Sequence, residues 1–370
     1  MRGVLFPSIT RTDADDSLQS CLLYIANFLF YKFGLEICHI ATVLTAGYRG
    51  DFVSVVYCVW LPIFLRMKRE RIAKLWPYYV AFLGVLLVTQ YSLCVDFLPS
   101  LCFVYPWHGL NENLLDWLYL PKLGSKLEST KLRADFIQFL LASCQLHVFD
   151  TESNKYKSEN YPGGSNREPS NKKDLSHGPN NNREYQGPDF ISSSEQGNYL
   201  DLLKKLIFIY FYWLTLTVVF IAGVSRVTLF AMGYVIACFV FLWVGNSLFL
   251  KPLHIARKLW TALLFYNSTI ILLKTSLKLV GCVYIQDLVK DHCWLIQLFA
   301  IACSRDKTTS ANIVTSHPAD YECVIPHREA GIFYDAICFT FLLIQRRVIN
   351  SNNFHHVVAE FQAQQVFASR

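Results

Sequence analysis

The stretch FLWVGNSLFLKPLHIARKLW, residues 241–260, decides the fold. It starts as an apolar run, passes through a short basic segment and ends in Lys-Leu-Trp, after which another apolar run begins. The segment IAKLW at residues 72–76 repeats this ending, again after an apolar run and a basic segment. The recurrence predicts a chain built from two copies of one membrane unit.

The composition supports a membrane location. Hydrophobic residues make up 53% of the 370 residues and charged residues only 17%, which is atypical of soluble domains. The formal net charge of +6 lies in short clusters beside apolar runs, a pattern that indicates membrane topology and no nucleic-acid partner. Most of the twelve cysteines lie in apolar runs without zinc-binding spacing. We therefore predict no metal, cofactor or catalytic residue.

Eight apolar stretches are predicted to cross the bilayer as helices, which requires roughly 20 apolar residues for a full span. The second, residues 52–65, is short, and we expect basic residues at its end to snorkel to the headgroups. Two further stretches, within 99–130 and 293–303, are predicted to be interfacial helices. The eight spans are residues 21–46, 52–65, 77–98, 132–149, 202–223, 227–250, 259–283 and 330–348.

The fold class is therefore an all-α polytopic membrane protein with two tandem four-helix units. In the segment between the units, 25 of the 49 residues from Asp150 to Asn198 are Ser, Asn, Gly or Pro, which is typical of disorder. The predicted domains are a cytoplasmic tail (1–17), a first unit (18–149), a disordered cytoplasmic linker (150–199), a second unit (200–348) and a cytoplasmic helix (349–370).

Three basic clusters set the predicted orientation, because basic residues favour the cytoplasmic side. Eight spans place all three clusters on that side, and an even number of spans per unit gives both units the same orientation. This disfavours transporters built on inverted repeats. The first cluster is Arg66, Lys68, Arg69, Arg71 and Lys74. The second is Lys251, Arg257 and Lys258, and the third is Arg346-Arg347.

The fourth and eighth spans also match each other. Four residues of the fourth span recur 200 positions later in the eighth span, in the same order. This constant separation supports an internal duplication. The matched residues are Asp135, Ile137, Phe139 and Gln145, and Asp335, Ile337, Phe339 and Gln345.

Charged residues inside predicted spans are costly and need partners. Lys32 and Glu36 lie near the middle of the first span, where we predict a structural i,i+4 pair rather than part of an ion path. Lys274 and Asp335 are predicted to pair between the seventh and eighth spans; the alternative is that each snorkels separately to the outer headgroups.

Two cysteines flank a polar loop on the predicted outer side. Because this side is oxidising, we predict a disulfide between Cys303 and Cys323, with two free thiols as the alternative. Cys293 lies close enough along the chain to be the true partner.

Longer segments of the second half resemble the blade of Piezo-type mechanosensitive cation channels. They are FLWVGNSLFLKPLHIARKLWTALLFYNSTIILLKTSLKLVGCVYIQDLVKDHCWLIQLFAIAC, EAGIFYDAICFTFLLIQRRV and FQAQQVFASR. YPWHGLNENLLDWLYLPKL and DFIQFLLASCQLHVF in the first half resemble the preceding blade unit.

The resemblance implies a homotrimeric, non-selective cation channel in the plasma membrane. Its blades are strings of four-helix units that contact membrane lipids, curve the bilayer and flatten under tension. The position implied for this chain is just upstream of the cytoplasmic beam. Since the pore module of the family has no counterpart here, the expectation is a partial chain that does not conduct by itself.

Two other functions are weighed against a channel segment. One is a stand-alone lipid-modifying membrane enzyme that uses His108 or His254 at the membrane interface, although no partner carboxylate is evident near either. The other is an independent transporter, which the parallel repeat disfavours.

Overall fold

The computed structural model describes residues 17–94, 107, 109–110, 112–121, 130–155, 199–244, 253–284, 288–289, 292–302, 330–351 and 354. The regular secondary structure of these residues is helical throughout. The helices delimited there are α1 Leu18–Arg49, α2 Phe52–Arg66, α3 Arg69–Cys94, α4 Glu112–Leu118, α5 Thr130–Lys155, α6 Tyr199–Val224, α7 Leu229–Val244, α8 Leu253–Val283, α9 Cys293–Phe299 and α10 Phe333–Ile349.

The helices agree with a polytopic membrane protein. Three of them, Leu18–Arg49, Arg69–Cys94 and Ile255–Val283, are long and apolar enough to cross a membrane, and three shorter apolar helices accompany them. Each of the eight predicted spans overlaps a helix, and each predicted interfacial stretch contains a short one. The predicted fold class, an all-α polytopic membrane protein, is confirmed.

Several helices continue past the apolar segments that define the predicted spans. Helix α3 starts at Arg69 and includes Pro77, which we had predicted to begin the span. Helix α8 starts at Leu253, so the basic segment of residues 241–260 is partly helical and not a loop. Helix α5 continues to Lys155, into the predicted linker. The rest of the predicted linker, apart from Tyr199, lies outside the described residues.

The turn between α1 and α2 is tight. Gly50 ends α1 in the left-handed conformation, with φ of +62°, and its N–H bonds to the Ala46 carbonyl. Asp51 then caps α2, accepting a hydrogen bond from the Ser54 N–H at 3.3 Å. Glycine suits this position because a left-handed residue with a Cβ is strained.

The long helices form two groups with one packing pattern. In the first bundle (α1, α2, α3 and α5), α1 packs against α2 and α5, and α3 packs against α5. In the second bundle (α6, α7, α8 and α10), α6 packs against α7 and α10, and α8 packs against α10. The same three pairs, first with second, first with fourth and third with fourth, therefore occur in both bundles.

An aromatic contact recurs where the second and third helices of each bundle meet. The rings of Phe64 and Trp76 lie 5.3 Å apart, and those of Phe241 and Trp260 lie 4.5 Å apart. All four side chains are buried. The first and last residues of the stretch that decides the fold are thus in direct contact.

The two bundles pack side by side. Helix α8 lies against α2 and α4, and α10 lies against α1. Near the α1–α2 turn, a Cβ on Gly50 would lie 3.3 Å from Lys278 Nζ, close to the C-terminal end of α8. At the other end, Arg346 of α10 reaches the carbonyl oxygen of Leu65 in α2, at 3.4 and 3.5 Å. Matching ends are adjacent, so the bundles are parallel.

We call the end with the Arg66–Lys74 and Arg346-Arg347 clusters the basic end. The other end, which carries the α1–α2 and α6–α7 turns, is the turn end. These names are used below.

Candidate functional site: two buried ionic clusters

A buried carboxylate joins all four helices at the turn end of the second bundle. Asp335, at the start of α10, accepts hydrogen bonds from Arg226 Nη1 at 2.7 Å and from Lys274 Nζ at 2.8 Å. The Tyr234 hydroxyl donates to its other oxygen at 3.3 Å. Because Arg226 follows α6, Tyr234 belongs to α7 and Lys274 to α8, this Asp335 cluster links the whole bundle. Its four members are at most 5% exposed.

The first bundle contains an equivalent Asp135 cluster at the same end. Asp135, in α5, accepts hydrogen bonds from Arg49 Nη1 and, at 2.9 Å, from the Tyr57 hydroxyl. Arg49 Nη1 also donates to Gln90 Oε1 at 2.8 Å. The remaining guanidinium nitrogens contact Asp51, with Nε at 3.1 Å and Nη2 at 2.9 Å. Residues from α1, α2, α3 and α5 are therefore connected here.

The two clusters occupy matching positions in the chain. The arginine and the tyrosine of one are each 177 residues from those of the other. In the third helices, Gln90 and Lys274 are 184 residues apart, as are the buried Trp76 and Trp260. The two aspartates are 200 residues apart. The pairs are Arg49 and Arg226, Tyr57 and Tyr234, Gln90 and Lys274, and Asp135 and Asp335.

The clusters differ in charge. Thr228 caps α7 in the second bundle, accepting a hydrogen bond from the Ala231 N–H at 3.2 Å, at the position where Asp51 caps α2. The first cluster thus gains a carboxylate, which Lys131 also contacts at 3.3 Å. The second cluster has a lysine where the first has Gln90. Formal charges balance in the first cluster, whereas two cations share one carboxylate in the second.

These contacts hold helices together rather than perform chemistry. A buried ion pair adds little compared with apolar packing, but removing one partner leaves an uncompensated charge in a dry environment. Such clusters therefore fix which helices meet and how they are positioned relative to each other along the bundle axis. Among the described residues, no group of three His, Cys, Asp or Glu side chains could hold a metal ion.

The structure brings Lys274 and Asp335 together, with Nζ 2.8 Å from the carboxylate oxygen. It also adds Arg226 to that pair, a residue that our sequence reasoning missed. Arg226 lies between two predicted spans, where an arginine is ordinary. The signal in the sequence is that Arg226 follows Arg49 by 177 residues, the same separation as between Tyr57 and Tyr234.

Glu36, which was predicted to pair with Lys32 within α1, makes an interhelical ion pair with Arg347. Glu36 Oε1 accepts a hydrogen bond from Arg347 Nη1 at 3.1 Å, and Lys32 Nζ lies 4.6 Å from the centre of the Tyr24 ring. Helix α1 has 32 residues, longer than one span, so Glu36 lies near the basic end beside Leu65.

Two disulfide-bonded cysteines are described, Cys282 and Cys293. Cys282 was interpreted as an apolar thiol within a span, whereas Cys293 was the alternative partner in the predicted disulfide. Cys303 and Cys323 lie outside the described residues. Disulfides are typical of oxidising compartments, which agrees with an extracytoplasmic location of the turn end.

The first two basic clusters are mostly exposed, whereas Arg346 and Arg347 of the third are half-buried. Arg69 is the exception in its cluster, since it is half-buried, and Lys251 lies outside the described residues. His108 also lies outside them, and the side chain of His254 is not among those described. The exposed residues are Arg66, Lys68, Arg71, Lys74, Arg257 and Lys258.

Comparison with known proteins identifies the family. A family model described as Piezo TM25-28 matches residues 179–370, more than half of the chain. The chain is 40% identical over 367 residues to Piezo-type mechanosensitive ion channel component 1 of Mus musculus, and 38% identical over 372 residues to the Homo sapiens protein of that name. It is 37% identical over 375 residues to the Piezo-type mechanosensitive ion channel component of Drosophila melanogaster.

These matches cover 98%, 99% and 99% of this chain, respectively, but only 14% of each relative. Taken together with two parallel four-helix bundles that share one packing pattern, they show that the chain belongs to the Piezo family.

Proposed function

We propose that this chain is a membrane-embedded blade segment of a mechanosensitive, non-selective cation channel. It senses tension or curvature and transmits the resulting movement toward a pore that other parts of a longer protein supply. The names of the relatives and their similarity over nearly the whole chain support this proposal. In the proposed assembly, residues 18–149 and 200–348 are successive blade units, joined by the linker 150–199.

The proposed partners are membrane lipids, the rest of the channel chain and two further copies of it in the plasma membrane. Large apolar side chains on the outer surfaces of the helices, such as Trp243 and Phe239 of α7, are exposed and suit contact with lipid. The proposed function requires no enzymatic step and no cofactor.

The observation that carries the proposal is the contrast between the ionic contacts within the bundles and the ionic contacts between them. Each bundle is tied internally by a buried ionic cluster at its turn end. Between the bundles, an ion pair among the described residues joins Arg347 and Glu36, whose side chains are 21% and 17% exposed and therefore more screened by solvent than the two buried clusters. Membrane tension does work in proportion to the change in membrane area. Tension should therefore move each bundle as a rigid body relative to the other.

A disulfide across the interface between the bundles tests this proposal. The side chains of Cys58 in α2 and Thr275 in α8 meet there. The substitution Thr275→Cys therefore places a second thiol next to the native Cys58. The variant is made in the full-length channel, and pressure-evoked currents are recorded in membrane patches before and after oxidation.

We expect oxidation to raise the pressure for half-maximal current, and dithiothreitol to restore it. Thr269→Cys, which is on the same helix at a half-buried position whose hydroxyl bonds to the Phe265 carbonyl, controls for other effects of oxidant and reductant on native cysteines. A confirmed cross-link that leaves the pressure response unchanged would contradict the proposal. The 370-residue chain alone, reconstituted in a planar bilayer under tension, should show no conductance.

A further inference from the structure

Helix α4 connects the two bundles at the turn end. It packs against α2 of the first bundle and against α8 of the second. Its side chains Leu115 and Trp117 are buried, and the Trp117 ring meets the Phe52 ring of α2 edge to face, with centres 5.3 Å apart. Any movement of α8 relative to α2 therefore changes the contacts of α4.

The residue that follows α4 has an unusual backbone conformation. Tyr119 has a φ of +56° and is one of two non-glycine residues with positive φ in the part of the chain that the structure describes. The chain turns there, and the Leu120 N–H bonds to the Leu115 carbonyl at 3.0 Å. A bulky residue is strained in the left-handed conformation and keeps it only where surrounding contacts hold it.

The Tyr119 ring makes contacts that can hold it. The guanidinium carbon of Arg49 lies 5.4 Å from the centre of the ring, and Lys131 Nζ lies 4.4 Å from it. Both distances are within the range of cation–π attraction, which is stronger where water is excluded. Arg49 is the arginine of the Asp135 cluster, and both cations also contact Asp51. Tyr119 therefore links α4 to that cluster.

The second bundle differs at this point. Helix α9, which precedes the fourth helix as α4 does, ends in the same way: Ala300 has a φ of +51°, and the Ile301 N–H bonds to the Ile296 carbonyl at 3.1 Å. Alanine has no ring, and the guanidinium carbon of Arg226 lies 5.1 Å from the ring centre of Tyr334 in α10. The ring beside the arginine thus comes from the bundle's own fourth helix there. In the first bundle it comes from α4, which the second bundle also contacts.

We propose that α4 and Tyr119 together form a strap that couples the docking of the second bundle to the Asp135 cluster of the first. While α8 is docked, α4 is held in place and Tyr119 covers Arg49 and Lys131. When α8 moves away, α4 loses one of its supports, Tyr119 leaves the left-handed conformation and its ring leaves the two cations. Each event favours the other, because coupling between sites is reciprocal. The inference concerns the docking of the bundles and does not depend on the proposed channel function.

Hydrogen–deuterium exchange of the purified 370-residue chain in detergent tests the strap, with mass spectrometry of peptides that cover α4 and Tyr119. Tyr119→Leu removes the ring but keeps an apolar side chain that is also strained in the left-handed conformation. We expect it to make the amides of α4 exchange about tenfold faster, because the cation–π contacts no longer hold the turn. Tyr119→Phe keeps the ring and should stay within about twofold of the native chain.

Tyr48→Leu is the matched control for the ring, because Tyr48 is exposed in the last turn of α1, at the same end of the molecule. It should change the exchange of α4 by less than about twofold, as expected for a surface substitution. Helix content measured by circular dichroism is compared for all variants.

A second set of variants perturbs α8 and measures α4. Lys278 is buried next to Gly50 and interacts electrostatically with Asp51, so Lys278→Glu places a second carboxylate near Asp51. We expect the amides of α4 to exchange at least about tenfold faster, since like charges at an interface are strongly unfavourable. Lys258→Glu makes the same charge change at an exposed position of α8 near the basic end and should leave α4 unchanged.

The variant that combines Tyr119→Leu with Lys278→Glu tests the coupling itself. Its acceleration should be smaller than the product of the two single factors, because each change already releases the strap. A full product would overturn the proposal, since α8 and the ring would then hold α4 independently. Equal exchange in Tyr119→Leu and Tyr48→Leu, or unchanged exchange of α4 in Lys278→Glu, would also overturn it. If Lys278→Glu does not fold, Thr275→Phe, which enlarges a buried α8 residue that meets Cys58 of α2, replaces it.

Discussion

At the scale of single residues, Asp335 and Lys274 should contribute unequally to stability, although they are partners. Asp335→Asn leaves Arg226 and Lys274 buried without a carboxylate partner, and we expect a loss of about 3–5 kcal/mol. Lys274→Gln should cost about 1 kcal/mol or less, because Arg226 keeps its partner and Gln90 occupies the equivalent position in the first bundle.

Unfolding of the purified chain, titrated with sodium dodecyl sulfate in mild detergent and followed by circular dichroism, measures both changes. Similar losses for the two variants would show that the carboxylate does not organise the cluster. Glu70→Gln serves as a control, because that glutamate is exposed in the first turn of α3.

The sequence predicted some of the charged residues of the buried clusters and missed others. Lys274 and Asp335 interrupt apolar runs, so the cost of an intramembrane charge drew attention to them. Arg49 and Arg226 stand beside turns, where an arginine is ordinary, and only the folded chain shows that they are buried. Glu36 was paired with Lys32 because spacing along one helix is visible in sequence, whereas its contact with Arg347 depends on how the bundles dock.

At the scale of helices, two glycines should respond oppositely to substitution by alanine. A Cβ on Gly281 in α8 would lie 2.8 Å from the carbonyl carbon of Ala302, a backbone atom that cannot easily move. Gly281→Ala should therefore destabilise the chain by about 1–3 kcal/mol. A Cβ on Gly47 in α1 would have nothing within 4 Å, and Gly47→Ala should stabilise by up to about 1 kcal/mol.

The same detergent titration measures both variants, each compared with the native chain. A Gly281→Ala variant as stable as Gly47→Ala would mean that α8 and the segment after α9 are not in close contact. The disulfide-bonded residues Cys282 and Cys293 flank this region, so both variants are measured without reductant.

Hydropathy located the helices but not their ends. Apolar runs predicted all eight long helices, because a spanning helix must be apolar over most of its length. The starts of α3 and α8 were missed, since Arg69 and Leu253 lie in basic segments that resemble loops in sequence. Charged residues are compatible with a helix that continues into the headgroups, so helix ends and membrane boundaries need not coincide.

At the scale of the whole molecule, the sequence predicted the duplication but not the docking of the copies. The repeated Lys-Leu-Trp and the matched aspartates predicted two units of one kind. No repeat could predict that α8 packs against α2 and α4, because contacts between copies have no counterpart within a copy. Leu115 and Trp117 of α4 are buried, so this predicted interfacial helix packs against protein on one face.

The central claim is that two copies of one four-helix bundle enter the membrane in the same orientation. Single cysteines at the turn ends (Tyr48→Cys and Val227→Cys) and at the basic ends (Lys68→Cys and Lys258→Cys) test it, since all four native side chains are exposed. Intact cells are treated with a membrane-impermeant maleimide, and labelling is measured above the background of the native chain. We predict that positions 48 and 227 are labelled in intact cells, and that positions 68 and 258 are labelled only after permeabilisation. Labelling of positions 48 and 227 from opposite sides would contradict the claim.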